Sequence, residues 1–77
     1  MLTILYIFGL RFFFYSEEHL PIHIHVQNAD GRAKINVLTY EIMDNKGIKT
    51  KDLRQSVEIV RQYKEEIIKA WNKYFDE

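Results

Sequence analysis

Residues 22–38 read IHIHVQNADGRAKINVL, and this stretch decides the fold. Apolar and polar side chains alternate on both sides of Asp30 and Gly31, which is the period of β-strands with one buried face. An aspartate–glycine pair between two such runs favours a two-residue turn, in which both residues adopt a positive φ. The stretch therefore predicts a β-hairpin of strands 22–27 and 32–38.

The two-residue turn also predicts the register of the hairpin. His25 is expected opposite Asn36, and Val26 opposite Ile35, so that polar residues pair with polar ones and apolar residues with apolar ones. His23 and His25 then stand side by side on the face of the sheet that points away from the core.

The flanking segments complete an α+β domain. Residues 3–8 and 10–16 are rich in β-branched and aromatic residues and predict two more strands, joined to the hairpin by a polar loop over 16–21. From Thr50, the predicted N-cap, apolar residues recur at helical spacing and predict one long amphipathic helix, or two helices broken near Gln62. We expect an antiparallel meander of about four strands followed by this C-terminal helix.

Length and composition set the domain organisation and exclude several classes of protein. The 77 residues suffice for a single domain, 1–77, with a β half at 1–44 and a helical half at 50–76. Eleven basic and eleven acidic residues cancel, so no overall field attracts the chain to nucleic acid or membranes. The absence of cysteine excludes disulfides and thiolate zinc sites. We expect a cytoplasmic protein without membrane contact, because the apolar start is too short to cross a bilayer.

All three histidines fall between residues 19 and 25. Imidazole transfers protons near neutral pH, ligates metals and contacts phosphates. In a metal-free acid–base site, two imidazoles would share proton transfer and cleave RNA through its own 2′-hydroxyl. Such a site also needs a cation for the charge of the transition state. The predicted catalytic residues are His23, His25, His19, Arg11, Lys34, Tyr15 and Glu18.

Three other interpretations of the histidines stay open. A metal ion could bind the two strand imidazoles together with His19 and Glu17 or Glu18, although we predict no tightly bound structural metal and no cofactor. The histidines and exposed aromatics could contact RNA without chemistry, near the basic residues of 46–54. Alternatively, they are ordinary surface side chains hydrogen-bonded to Asn36 and Glu18.

The motif R-F-F-F-Y-S-x-E-H-x-P-x-H-I-H-V at residues 11–26 resembles that of a small prokaryotic family, the domain of unknown function DUF4160. Matching residues after the hairpin and in the helical half extend the resemblance over essentially the whole chain. Members commonly have a second proline where this chain has Ile22. The motif residues that the resemblance implies are Arg11, Tyr15, Glu18, His19, Pro21, His23, His25 and Lys34.

This resemblance carries an expectation about function. Members are often encoded beside a second small protein, in a layout similar to toxin–antitoxin modules. The resemblance therefore implies a toxin-like component of a two-gene module, and the histidines suggest a metal-independent ribonuclease or another phosphodiester-acting protein. A non-catalytic protein-interaction module and a small metal-dependent hydrolase are the alternatives.

Aromatic residues are abundant for so small a core. The chain has five phenylalanines, five tyrosines and one tryptophan, and we expect some of them to remain at the surface. Such a surface predicts contact with a small partner protein from a neighbouring gene and, in isolation, a homodimer. The expected contact is the Ile67, Trp71 and Tyr74 end of the helix, or the outward side of residues 12–15.

Overall fold

The computed structural model describes residues 1–75 and contains one five-stranded antiparallel sheet followed by two helices. The strands pair in the order of the sequence, so the sheet is a simple meander whose edges are the first and fifth strands. The predicted α+β fold is confirmed, with one strand more than expected. The elements are β1 (Leu2–Ile7), β2 (Leu10–Phe14), β3 (His23–Gln27), β4 (Arg32–Asn36), β5 (Ile42–Lys46), α1 (Thr50–Gln62) and α2 (Lys64–Phe75).

β5 is the strand that the sequence pattern does not reveal. All five of its residues are exposed. Alternation of apolar and polar residues indicates a strand that buries one face. A strand that buries neither face has no such alternation, so its sequence gives no signal. Backbone pairing with β4, from Arg32 opposite Lys46 to Ile35 opposite Ile42, forms this strand.

The β3–β4 hairpin forms as predicted, but its turn is longer. Gln27 pairs with Arg32, so the connection between the strands exceeds two residues. Asn28 organises it, because its Oδ1 accepts hydrogen bonds from the backbone N–H groups of Asp30 and Gly31 at 2.9 and 3.0 Å. This side-chain-capped turn replaces the predicted two-residue turn.

The longer turn corrects the predicted register. His25 lies opposite Lys34, and Asn36 lies opposite His23. The predicted pairing was therefore shifted by two residues. Because side chains alternate with a period of two, an even shift leaves every side chain on its predicted face.

A two-residue turn with positive φ occurs instead between β1 and β2. Phe8 and Gly9 have φ values of 56° and 74°, and Ile7 pairs with Leu10 across them. This is the geometry that matches the twist of the flanking strands. Phenylalanine is not typical of the first position of such a turn, which is usually Asn, Asp or Gly. The two-residue turn was therefore predicted at Asp30 and Gly31, where the residue types fit.

Helices cover one face of the sheet and leave the other open. Phe12 and Phe14 of β2 belong to the core cluster on the helical side, whereas Phe13 lies on the open side against His25. All three phenylalanines are nevertheless fully buried, because neighbouring side chains cover Phe13 on the open side. The core cluster contains Leu10, Phe12, Phe14, Ile24, Val26, Ala33, Ile35, Val37, Ile48, Ile59, Val60, Ile67 and Trp71.

The helical region breaks at Tyr63, next to the predicted position. The backbone N–H of Tyr63 still bonds to the carbonyl of Ile59 at 2.9 Å, and α2 begins one residue later. The N-cap of α1 is Lys49 rather than Thr50. Residue 76, which the prediction placed in the helical half, lies outside the described residues. Within residues 1–75, no helix has the length and apolar character needed to cross a membrane.

The expected aromatic contact surface is largely buried within the chain itself. Ile67 and Trp71 belong to the core, and only Tyr74 of that predicted surface is substantially exposed, at 47%. The large aromatics that remain at the surface are instead Tyr6 and Phe8, at the β1–β2 turn.

Candidate functional site

The loop between β2 and β3 carries Glu18 over the open side of the sheet. The backbone N–H of Tyr15 donates to Oε2 of Glu18 at 2.9 Å, which anchors the carboxylate. The Leu20–Pro21 peptide bond that closes this loop is cis. The side chain of Glu18 is only 8% exposed. The loop thus presents one largely buried carboxylate to β3.

Two histidines of β3 converge on this carboxylate. Nε2 of His23 lies 2.9 Å from Oε1 of Glu18, and Nε2 of His25 lies 2.9 Å from Oε2. Strand alternation places both imidazoles on one face, as predicted, with ring centroids 5.2 Å apart. We call Glu18, His23 and His25 the Glu–His–His cluster.

The cluster is more enclosed than the alternation of β3 predicts. The side chains of His23 and His25 are 8% and 11% exposed. The loop carrying Glu18 covers them, and the ring of His23 also meets Trp71 at 5.3 Å between centroids. A strand pattern shows which face is free of the core, but it does not show how the preceding loop and a helix cover that face.

The hydrogen bonds of His23 engage both of its ring nitrogens. Nδ1 donates to the carbonyl oxygen of Pro21 at 2.8 Å, since a carbonyl can only accept. In the neutral imidazole this leaves a lone pair on Nε2, directed at an oxygen of Glu18. Two such acceptors attract each other only with a cation between them, which in the simplest case is a shared proton.

His25 has one nitrogen engaged and one free. Its Nε2 bonds to Glu18, and Nδ1 has no hydrogen-bond partner among residues 1–75. Since no buried side-chain nitrogen or oxygen of the described chain lacks a partner, Nδ1 reaches solvent. The ring stacks on Phe13 at 5.5 Å and meets the edge of Tyr15 at 4.5 Å between centroids.

Burial lowers the pKa of the His25 imidazole below its ordinary value of 6.5. The charge of Glu18 and its hydrogen bond oppose this shift, whereas the positive charges of His23 and Lys34 add to it. A neutral His25 donates Nε2–H to Glu18 and keeps a lone pair on Nδ1. This is the arrangement of a general base that a carboxylate orients.

A groove of about 560 Å³ lies beside His25 on the open face. Three cationic residues border it, Arg32, Lys34 and Lys46, against two acidic ones. In the pairing of β4 with β5, Lys34 lies opposite Asp44, whereas Arg32 lies opposite another cation, Lys46. A histidine, a phenol and three cations thus line one groove.

Arg32 is a groove residue that sequence reasoning missed. Its guanidinium donates to the hydroxyl oxygen of Tyr15 at 2.8 Å. In the predicted register Arg32 lay opposite Ala29, at the turn, whereas in the structure it pairs with Gln27 inside the sheet. The correct turn length would have placed Arg32 within the paired strands and so closer to Tyr15.

The other predicted site residues are placed as follows. Tyr15 and Lys34 line the groove with His25. Arg11 donates to Gln27 at 2.7 Å and lies over the ring of Phe13 at 4.8 Å, so it supports the cluster from the side. His19 is exposed and lines a different hollow beside α2, away from the groove. The structure therefore separates His19 from the two strand histidines.

Fold and site together define a small α+β domain with a carboxylate-bridged histidine pair beside a charged groove. The family model described as Domain of unknown function (DUF4160) matches residues 9–72, and the chain belongs to this family. The matched span includes the whole Glu–His–His cluster and Trp71, and it leaves out β1. No curated protein and no solved structure matches the chain.

Proposed function

We propose that this protein is the toxin-like component of a two-gene module and acts on RNA or another phosphodiester in the groove of the open sheet face. The observation that carries the proposal is the orientation of His25. Glu18 holds its Nε2 at 2.9 Å, which leaves Nδ1 free, and the imidazole lines a groove bordered by cations. The two-gene setting follows from the paired-gene layout that the family resemblance implies.

The proposed reaction needs one base, one acid and a cation. Nδ1 of His25 takes the proton of the 2′-hydroxyl, and the 2′-oxygen attacks the adjacent phosphorus. The P–O5′ bond breaks, leaving a 2′,3′-cyclic phosphate, and the departing 5′-oxygen takes a proton from the Tyr15 hydroxyl. Arg32 donates to the oxygen of that hydroxyl at 2.8 Å, which holds the phenol in place and leaves its O–H free to donate. Lys34 and Arg32 stabilise the charge on the phosphorane.

His23 has a positioning role in this proposal. Both of its ring nitrogens are engaged, by Pro21 and by Glu18, so it holds the carboxylate that orients His25. This differs from the predicted division of work, in which the two histidines act as base and acid.

Expression of the protein, with and without the neighbouring gene product, tests the proposal. We expect growth arrest and cleavage of an RNA oligonucleotide to a 2′,3′-cyclic phosphate. His25→Ala should lower the cleavage rate by at least about 100-fold, the usual contribution of a general base. His19→Ala, outside the cluster, is the matched control and should cleave normally. Cleavage or arrest that persists in His25→Ala would remove His25 from the chemistry.

A second candidate function is that of a protein-interaction module without catalysis. The exposed edge strand β5 favours it, because Ile42 and Met43 are 42% and 36% exposed, and Ile42 lines a hollow between β5 and α1. Tyr40, Leu53 and Val57 line that hollow. In this case binding of the neighbouring gene product should persist in His25→Ala and weaken in Met43→Lys, and growth effects should follow binding rather than cleavage.

A further inference from the structure

Three atoms of the Glu–His–His cluster form a set of metal donors. The donor atoms of Glu18, His23 and His25 all lie within 4.8 Å of one another. Two imidazole nitrogens and one carboxylate oxygen are the protein ligands of many catalytic zinc sites and of non-haem iron sites. Three protein ligands leave one tetrahedral position for water or a substrate.

The hydrogen bond between His23 and Pro21 is an independent observation that points to a cation. Histidines that ligate metals usually donate their second ring N–H to a carbonyl or carboxylate, which fixes the tautomer. His23 does so through Nδ1 at 2.8 Å. Its Nε2 is then a lone pair that faces Glu18 at 2.9 Å. The structure thus directs two acceptors at one point, where a metal ion can replace a proton.

The ligands are already held near the required positions. Tyr15 N–H holds Glu18, Phe13 stacks on His25, and Trp71 packs against His23. Metal–ligand bonds of about 2.0–2.2 Å place tetrahedral ligands about 3.3 Å apart. The two N–O separations of 2.9 Å, one to each oxygen of Glu18, are slightly shorter than this spacing, and all donor atoms lie within 4.8 Å of one another. Adjustments of about an ångström therefore admit an ion. Two of the ligands border surface depressions, His25 the groove and Glu18 the hollow beside α2.

We propose that Glu18, His23 and His25 bind one divalent transition-metal ion, with zinc as the ion that suits this donor set. The proposal stands apart from the proposed phosphodiester reaction. A bound ion occupies Nε2 of His25 and leaves the proton on Nδ1, so the ion-bound form lacks the base of that reaction. Zinc binding is therefore measured without reference to cleavage, and either proposal can fail alone.

The test is a titration of tag-free, chelator-treated protein with Zn²⁺ in competition with a chromogenic zinc indicator. We expect one ion per chain. Glu18→Gln is the informative variant, because its amide can donate to Nε2 of His23 and accept from Nε2–H of His25, so the fold is kept while an anionic ligand is lost. Affinity should fall by about tenfold or more. Glu17→Gln, the exposed neighbour, is the matched control and should bind as the unchanged protein does.

The histidine ring signals in NMR give a second measurement that needs no variant. Addition of Zn²⁺ should shift the ¹⁵N resonances of Nε2 in His23 and His25 and leave those of exposed His19 unchanged. Equal zinc affinity in the unchanged protein and in folded Glu18→Gln would overturn the proposal. A shift confined to His19, or no saturable binding at all, would also overturn it.

Discussion

At the scale of single residues, Glu18 organises the open face of the molecule. It is one largely buried carboxylate that accepts from the backbone of Tyr15 and meets the imidazoles of both strand histidines. A buried polar group that loses its partner keeps the desolvation penalty without the compensating hydrogen bond. The histidines therefore depend on Glu18 for their stability as well as for their orientation.

Truncation of Glu18 measures this dependence. Glu18→Ala should lower the free energy of unfolding by about 1–3 kcal/mol, because it leaves imidazole nitrogens without partners in a closed site. Glu18→Gln should cost clearly less, since an amide can serve both imidazoles. Glu17→Ala, at an exposed position, should stay within about 0.5 kcal/mol of the unchanged protein. Urea unfolding followed by circular dichroism gives all three values, and equal losses at positions 17 and 18 would contradict the role of Glu18.

The pH dependence of His25 follows from its burial. In metal-free protein, an NMR titration should give a pKa below the ordinary value of 6.5, because burial disfavours the charged ring. The unfolded chain then binds the proton more readily than the folded one. The stabilising contribution of neutral His25 is complete above the unfolded pKa and is lost as the pH falls through the folded pKa. The same titration in urea is the control, and a folded pKa at or above the unfolded one would contradict this expectation.

At the scale of elements, α2 connects the core to the site. Trp71 packs against Phe14 on the helical side of the sheet and also meets the ring of His23. Phe75 adds a further aromatic contact to Trp71 at 4.9 Å between centroids. Trp71 therefore joins the core cluster to the Glu–His–His cluster.

Trp71→Ala should therefore disturb both the fold and the histidines. We expect a loss of about 3–5 kcal/mol in the free energy of unfolding, as for other large aromatic truncations in a core. Tyr74→Ala, on the same helix and 47% exposed, should change it by less than about 0.5 kcal/mol. In the folded fraction, the NMR signals of His23 should shift in Trp71→Ala only. Similar unfolding midpoints for the two variants would contradict the expectation that Trp71 stabilises the packing of α2 on the sheet.

At the scale of the whole molecule, the sheet has two open edges. β1 and β5 each pair with one neighbour only. Unpaired backbone groups on an edge strand are a template for pairing with a further strand, and exposed apolar side chains strengthen the contact. Ile42 and Met43 provide such side chains on β5.

We predict that the isolated protein self-associates through the β5 edge. Sedimentation at micromolar concentration should give a species about twice the 9.3 kDa mass of the chain. Met43→Lys should shift the equilibrium toward the monomer, because charged side chains on an edge oppose pairing. Leu20→Lys replaces another exposed apolar residue far from that edge and should leave the mass unchanged. A monomer of the unchanged protein would exclude the homodimer, and loss of association in both variants would exclude this edge.

The sequence by itself determined the fold class, the order of the first four strands, the extent of the helical region, and the face on which His23 and His25 stand. It left open whether that region is one helix or two. These properties follow from periodicity and local turn chemistry, which depend only on neighbours in the chain. The predicted face of the histidines was correct although the predicted register was wrong. The register error was two residues, and side chains alternate between the faces of a strand with a period of two.

Only the tertiary structure decided how the site is assembled. β5 exists through pairing with β4 and has no pattern of its own, and the turn held by Asn28 brought Arg32 toward Tyr15. The packing of Trp71 against His23 joins parts of the chain that no local rule connects. The contact of the histidines with Glu18 was one alternative at the level of the sequence, and the structure decided that it forms in a largely buried site. These contacts depend on how a loop and a helix close over the sheet, and such closure is set by the packing of the whole molecule.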